Sequence, residues 1–259
     1  MRLICLAVIA LFLTVAILPI QAQVNKGLIV YFDFNKADGK TIANGAGATH
    51  GTMNDKAKLT AKGKYGGALD SQDKDSLVTV ESFPALEAYQ DNSYLFWINF
   101  TEGTNGAWSQ IIAKKAPDSD RSPGIWICPD TLNIHWRFNP GNAGCDRCGP
   151  EGENDKFDLK KWYHVAGVLK GTDLLYYVDG KEVAKKPGVP AKIAQGKELL
   201  YIGKTGYRSA TFLLDELAIY DRAVTEAEIN KVKDGELATA VDPESKLAAK
   251  WGDVKEGSY

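Results

Sequence analysis

The chain has 259 residues, with 33 acidic against 31 basic side chains and a formal net charge of −2. That balance, without a basic block, excludes the electrostatic footprint of nucleic-acid binding or of attachment to an anionic membrane surface. The length suits one domain large enough to bury its own core, and four cysteines are too few for a disulfide scaffold.

Residues 3–20 are almost wholly apolar, follow Arg2 and end at Pro19-Ile20-Gln21-Ala22. This pattern predicts a secretory signal peptide over residues 1–22, removed after the small Ala22. The alternative is an uncleaved anchor, since the run is near the ~18 residues that span a bilayer. Cleavage carries away Cys5 and leaves a secreted, extracellular or periplasmic chain with no membrane attachment.

From residue 23 onward, short runs with apolar residues at every second position alternate with Gly, Asp, Asn and Pro clusters, the pattern of half-buried antiparallel strands. Strands are predicted near residues 28–34, once within the Gly-rich stretch 36–62, then near 68–69, 77–80, 93–100, 110–114, 124–127 and 132–138. A loop rich in Gly, Asn and Pro covers 139–156. Further strands fall near 162–170, 174–178, 181–184, 198–202 and 211–220. Asp179-Gly180 predicts a two-residue type I′ hairpin, because both central positions need φ > 0. Thr225-Glu226-Ala227-Glu228 reads as a capping box opening a helix to about Lys233, closed by Gly235. A tail occupies 236–259.

In sequence order, Trp162-Tyr163-His164-Val165-Ala166-Gly167, Tyr176-Tyr177-Val178-Asp179-Gly180-Lys181, Leu200-Tyr201-Ile202-Gly203 and Asp215-Glu216-Leu217-Ala218-Ile219-Tyr220 resemble the laminin-G-like jelly roll, a concanavalin A-like sandwich. Tyr31-Phe32-Asp33-Phe34, His50-Gly51-Thr52 and Gly63-Lys64-Tyr65-Gly66-Gly67-Ala68-Leu69 are similar to its opening blocks, so the likeness runs from about Leu28 to about Val232. It implies an all-β jelly roll of two antiparallel sheets over residues 23–235 with one short C-terminal helix. The fold alone names no ligand, because it hosts lectins, adhesion modules and some enzymes.

Three groups of residues carry candidate chemistry. Asp33 and Asp215 sit in apolar strands, where a carboxylate is expensive to bury unless paired or bound to a cation. The resemblance implies a structural Ca²⁺ between first and last strands, and hard oxygen ligands suit that ion. The alternative is that Asp33 accepts backbone N–H bonds and Asp215 pairs with a base such as Lys231 or Arg222.

Alternation along the strands sends Trp97, Asn99, His135, Arg137 and Tyr177 away from the apolar side. If their strands share a sheet, these five form a solvent face suited to sugar, with aromatic stacking beside directional polar groups. The alternatives are that a loop covers Trp97, or that a loop rim of Trp108, Trp126, Tyr207 and Arg208 carries binding.

Cys128 is predicted to bridge Cys145 or Cys148, leaving one thiol free. Zinc or redox use of Cys145-x-x-Cys148 is disfavoured, since only His135 is near as a fourth ligand and a βαβ setting is lacking.

A carboxylate run of the glycosidase kind is absent, and Asp215-Glu216, being adjacent, are expected on opposite faces. The chain therefore reads as a monomeric, non-catalytic module binding a glycan or an extracellular protein surface. A structural or adhesion protein is the alternative, and a polysaccharide lyase or hydrolase a more distant one.

Overall fold

The computed structural model describes residues 24–241 apart from 89, 116–119 and 195–196. The predicted signal peptide and the end of the tail lie outside the described residues. In chain order the strands are β1 (Leu28–Phe32), β2 (Thr41–Ile42), β3 (Gly51–Met53), β4 (Lys58–Thr60), β5 (Ala68–Ser71), β6 (Leu77–Val80), β7 (Asn92–Phe100), β8 (Ser109–Lys114), β9 (Gly124–Ile127), β10 (Ile134–Phe138), β11 (Ala143–Cys148), β12 (Trp162–Lys170), β13 (Asp173–Val178), β14 (Lys181–Pro187), β15 (Leu200–Gly203), β16 (Arg208–Ser209) and β17 (Phe212–Tyr220). Helix α1 (Pro84–Ala88) follows β6, and α2 (Glu226–Lys233) and α3 (Glu236–Val241) follow β17.

The strands form two sheets. Sheet I runs β14-β13-β12-β7-β17-β5-β4, with β1 also paired to β17; sheet II runs β11-β10-β9-β8-β15-β6-β3-β2, with β16 added beside β8. This is the jelly-roll sandwich expected from the blocks above, and the first and last strands do neighbour each other, Phe32 opposite Leu217. Period-2 alternation explains the core between the sheets: Tyr94, Phe96, Ile98 and Phe100 of β7 face Ile134, Trp136 and Phe138 of β10 within one apolar cluster. Trp136 stacks on Phe96, with ring centroids 6.2 Å apart.

Sheet I has a second apolar face. Tyr31, Leu95, Ala166, Val168, Tyr177, Ala218 and Tyr220 pack with Val224, Ile229, Val232 and Leu237. The helical segment after β17 therefore lies over the outside of sheet I. Its start is fixed by the expected capping box: the Glu228 N–H donates to Thr225 Oγ1 (3.3 Å) and the Thr225 N–H to Glu228 Oε2 (2.8 Å). Arg222 grips the same carboxylate with both terminal nitrogens, at 3.0 and 2.6 Å. Asp179 (φ 50) and Gly180 (φ 81) form the predicted hairpin turn. Gly180 is also required for space, because a Cβ there would lie 2.0 Å from Asn230 Oδ1 of α2. The tail starts as structure, not as a trailing end: Leu237 and Ala238 of α3 are buried.

The cysteine pairing differs from expectation. Cys145 and Cys148 are joined, with Cα atoms 6.1 Å apart, and Cys128 is a buried free thiol. In a regular strand residues i and i+3 point to opposite faces. Here Ile134 opposes Cys148 while Trp136 opposes Cys145, so β11 holds one residue more than β10 over the same span. That bulge turns both cysteines to the core side. The stretch read as a loop at 139–156 contains β11 because Gly-Cys-Asp-Arg-Cys-Gly has no alternation to read.

Closing so small a loop constrains the unfolded chain by only about 2 kcal/mol in the chain-entropy model. Trypsin cuts after Arg137, Arg147 and Lys156, so an unreduced digest is expected to yield peptides 138–147 and 148–156 linked to each other, with 122–137 carrying a free thiol. A link between 122–137 and either of the others contradicts this pairing.

Candidate functional site

The five residues expected on one face are divided between the sheets. Trp97 and Asn99 lie on β7 and Tyr177 on β13, in sheet I; His135 and Arg137 lie on β10, in sheet II. Strand order differs from the expectation of one shared face: the two sets lie on opposite outer surfaces of the sandwich.

The sheet I set is covered. Trp97 is 7% exposed, Asn99 8% and Tyr177 5%. Tyr65 meets the Trp97 ring edge-on at 6.3 Å, and the Lys64 ammonium sits 4.5 Å from its centre. His164, which pairs with Trp97 across the strands, is fully buried beneath them, and its ring nitrogens have no hydrogen-bond partner among the described residues. Burial first, then the charge of Lys233, holds its imidazole down at about 3. Tyr177 lies in the cluster under α2 and donates to Glu182 Oε2 at 3.3 Å; burial and then the Glu182 charge push its hydroxyl up to about 12.

Asp215 and Glu216 lie on this same covered side. Asp215 opposes Trp97 and Ala218 opposes Leu95, so β17 has an extra residue here, and Glu216 takes a left-handed backbone (φ 52). The bulge overturns the expectation of opposite faces. Asp215 accepts backbone N–H groups from Tyr65 at Oδ2 (2.8 Å) and from Glu216 at Oδ1 (2.7 Å). Burial, and then the Glu216 charge, raise its carboxyl well above the usual range. Tyr31 donates to Glu216 Oε2 at 2.6 Å. Asp33 accepts the backbone and side-chain N–H of Asn35 at 3.1 and 3.0 Å. Burial first, then the Glu216 charge and hydrogen bond, and last the charges of Asp33 and Asp215, raise the Tyr31 hydroxyl. Of the two bases named as alternative partners for Asp215, Lys231 and Arg222, the latter pairs with Glu228.

As cation ligands, Asp33 and Asp215 would offer hard carboxylate oxygens, which already accept N–H groups from Asn35, Tyr65 and Glu216. Among the described residues no group of three or more His, Cys, Asp or Glu is assembled for a metal. An ion here would therefore draw most of its ligands from carbonyl oxygens and water.

The outer surface of sheet II is different. Its centre is a transverse row with one residue per strand: Asp146 (β11), His135 (β10), Trp126 (β9) and Gln110 (β8). Trp126 lies along the sheet over Gly124, where a Cβ would come within 2.0 Å of the indole, so only glycine lets the ring lie down. Gln110 anchors the row by donating to the carbonyls of Ile112 and Ile125 at 2.8 and 2.9 Å. Tyr207 packs edge-on against Trp126 at 5.8 Å, and the Arg121 guanidinium covers the ring at 5.2 Å. Trp126 itself is only 2% exposed.

Trp108, placed by the loop entering β8, packs against His135 with centroids 4.7 Å apart and planes inclined at 56°, and is 37% exposed. A turn in which Asn105 Oδ1 accepts the Ala107 N–H sets its position. His135 Nδ1 donates to Asp146, its carbonyl at 3.1 Å and Oδ1 at 2.9 Å, while Arg137 Nε donates to His135 Nε2 at 3.2 Å. The ring is thus a neutral imidazole carrying its proton on Nδ1. Burial and then the Arg137 charge lower its pKa in keeping with that state. Arg137 also donates to Asp146 Oδ1 (2.9 Å) and to the carbonyls of Asn142 and Gly144.

The structure therefore joins half of the expected face, His135 and Arg137, to most of the expected rim, Trp108, Trp126 and Tyr207. Asp146 is the member that sequence reading missed. It stood in a stretch read as loop, and the one available signal was the Asp between two cysteines.

A family model described as Laminin_G_3, Concanavalin A-like lectin/glucanases superfamily, matches residues 71–230. No curated protein sequence matches the chain. Similar solved structures include the binding domain of Paraclostridial Mosquitocidal Protein 1 (TM-score 0.66, 14% identity, 82% of this chain and 53% of that one) and the Botulinum neurotoxin serotype D binding domain (0.61, 14%, 83% and 52%). Trypanosoma rangeli sialidase in complex with sialic acid is another (0.61, 15%, 82% and 33%). The chain spans about half the length of the two toxin chains and a third of the sialidase. At these identities the likeness is one of fold.

His164 generates a pH dependence with a definite sign. Its folded pKa lies below the ordinary histidine value, so the unfolded chain binds the extra proton first. The contribution to stability is complete above about pH 6.5 and is lost as pH falls toward the folded value, with a slope of up to about 1.4 kcal/mol per pH unit for one such group. Melting curves between pH 7 and pH 4 are expected to fall less steeply for His164→Gln than for the parent chain. Parallel curves contradict the buried neutral imidazole.

Proposed function

Because this chain belongs to the concanavalin A-like lectin/glucanase superfamily, we propose that it is an exported, non-catalytic glycan-binding module whose ligand face is the outer surface of sheet II around Trp108. The observation that carries the reading is the contrast between the two outer surfaces. The sheet I surface is sealed by Tyr65, α2 and α3, whereas sheet II offers a large aromatic ring, partly exposed, beside a fixed polar triad of His135, Arg137 and Asp146. A partly exposed aromatic ring gives a sugar its stacking surface, and polar groups of set geometry give it orientation.

Absence of catalysis is supported by the state of the acids. Asp215 and Glu216 are buried at 0% and 1% exposure. For Asp146, burial is outweighed by the hydrogen bond and charge of Arg137, which hold its carboxyl below the usual carboxylate range and make it a poor proton donor near neutral pH. The binding domains among the similar folds favour the same class of function.

Trp108→Ala is expected to weaken binding on a glycan array at least about tenfold, about 1.4 kcal/mol, while leaving stability within about 0.5 kcal/mol. Unchanged binding in Trp108→Ala, or an array on which the parent chain binds no glycan, overturns the assignment.

A structural Ca²⁺ at Asp33 and Asp215 belongs to this reading as a separate element. It would pin β1 to β17 and relieve the charge of Asp215 beside Glu216. Millimolar Ca²⁺ is expected to raise the melting temperature, since an ion bound only by the folded state stabilises by about 2.7 kcal/mol at a hundredfold excess over Kd. Asp33→Ala should abolish that response, and identical curves with Ca²⁺ and with chelator would remove the ion from the account.

A further inference from the structure

We infer that the sheet II site selects neutral, hydroxyl-rich glycans and rejects anionic ones, with Asp146 Oδ2 as the acceptor that reads the sugar. The inference rests on the proposed glycan face and names the class of ligand it takes.

The residue types by themselves would also suit the opposite preference. An Arg, a His and a second Arg near a tryptophan look like a cationic site for uronate, sulfate or sialic acid. The hydrogen bonds decide otherwise. Arg137 directs its donors inward, to His135 Nε2, to the Asn142 and Gly144 carbonyls and to Asp146 Oδ1. Its side chain is only 16% exposed, while that of Asp146 is 70% exposed. His135 is neutral and also turned toward Asp146. The Arg121 guanidinium lies against the Trp126 ring. What the triad presents to solvent is thus the outer edge of a carboxylate.

Both the Arg137 and the His135 bond land on Oδ1, and Oδ2 receives no hydrogen bond from the described residues. An ionised oxygen accepts strongly and donates nothing. It is held beside Trp108 through their common neighbour His135. Sugar hydroxyls donating to Oδ2, with the sugar C–H face on Trp108, satisfy both groups. An anionic substituent at the same place would meet a like charge whose nearest counter-charge, on Arg137, is already engaged.

Asp146→Asn tests this with little change of shape. The amide oxygen must stay toward Arg137 and His135, since an NH₂ there would face N–H donors, so the outward atom changes from acceptor to donor. The measurement is affinity of the full chain for laminarin, dextran and galactan as neutral probes and for alginate and heparin as anionic ones, each with the parent, Asp146→Asn and Trp108→Ala. The parent is expected to bind at least one neutral probe and to bind the anionic ones about tenfold or more weakly. In Asp146→Asn the neutral probe should lose about tenfold, the size of a charge-assisted hydrogen bond, and the anionic probes should gain.

A parent chain that prefers alginate or heparin overturns the inference, as does Asp146→Asn binding the neutral probe like the parent. If Asp146→Asn behaves as the parent but Trp108→Ala loses binding, the face stands and only the acceptor role falls. If Trp108→Ala keeps full binding, or no probe binds, the face itself falls and this inference with it.

Discussion

A two-sheet sandwich has one interior and two outer surfaces, and what covers those outer surfaces decides where the molecule can meet anything else. Here the deciding interaction is the docking of residues 221–241 on sheet I. The apolar part is Val224, Ile229, Val232 and Leu237 set against Tyr31, Leu95, Tyr177 and Tyr220. The polar part is local and directional: Arg222 and the Thr225 cap converge on Glu228, and Ser93 Oγ donates to the Arg222 carbonyl (2.7 Å) while accepting the Val224 N–H (3.0 Å). Burial supplies the drive, and the fork on Glu228 sets the angle at which the helix leaves β17.

That docking has consequences across the molecule. It makes sheet I apolar on both sides, which explains why β7 and β17 are buried along their full length. It also buries polar groups that an open face would have solvated, among them His164, Asp215 and Glu216. Among the described residues no helix lies over the sheet II row from Asp146 to Gln110, and side chains close over its inner members, so that Trp126 and Gln110 are buried. Its outer aromatics are instead supported from below and beside, by Gly124, Arg121 and Tyr207, and that support leaves Trp108 outermost.

Most strands were legible because alternation and turn chemistry agree where one face is core and the other is not. Leu77–Val80, Gly124–Ile127 and Trp162–Lys170 fall where the pattern puts them, and the Asp179-Gly180 turn and Thr225 cap are local signals that need no tertiary knowledge. The site was legible only in pieces. Alternation identified Trp97, Asn99, Tyr177, His135 and Arg137 as facing away from the central core, but strand order is a long-range property, and it divides them between two sheets. Alternation also cannot distinguish an outer face that is wet from one covered by a helix more than a hundred residues downstream of Trp97. Bulges hid the rest. One extra residue in β11 pairs Cys145 with Cys148 and aims Asp146 at His135; one extra residue in β17 brings Asp215 and Glu216 to the same side. A period of two cannot register an insertion of one.

The central claim is that a helical segment seals one outer surface while the other keeps Trp108 exposed, and tryptophan oxidation read by mass spectrometry tests it most directly. Limited N-bromosuccinimide treatment of the native chain should oxidise Trp108 well ahead of Trp97, Trp126 and Trp136, which are 7%, 2% and 0% exposed. Oxidation of Trp97 as fast as Trp108 would show that the helical segment does not seal sheet I, and would contradict the account at its base.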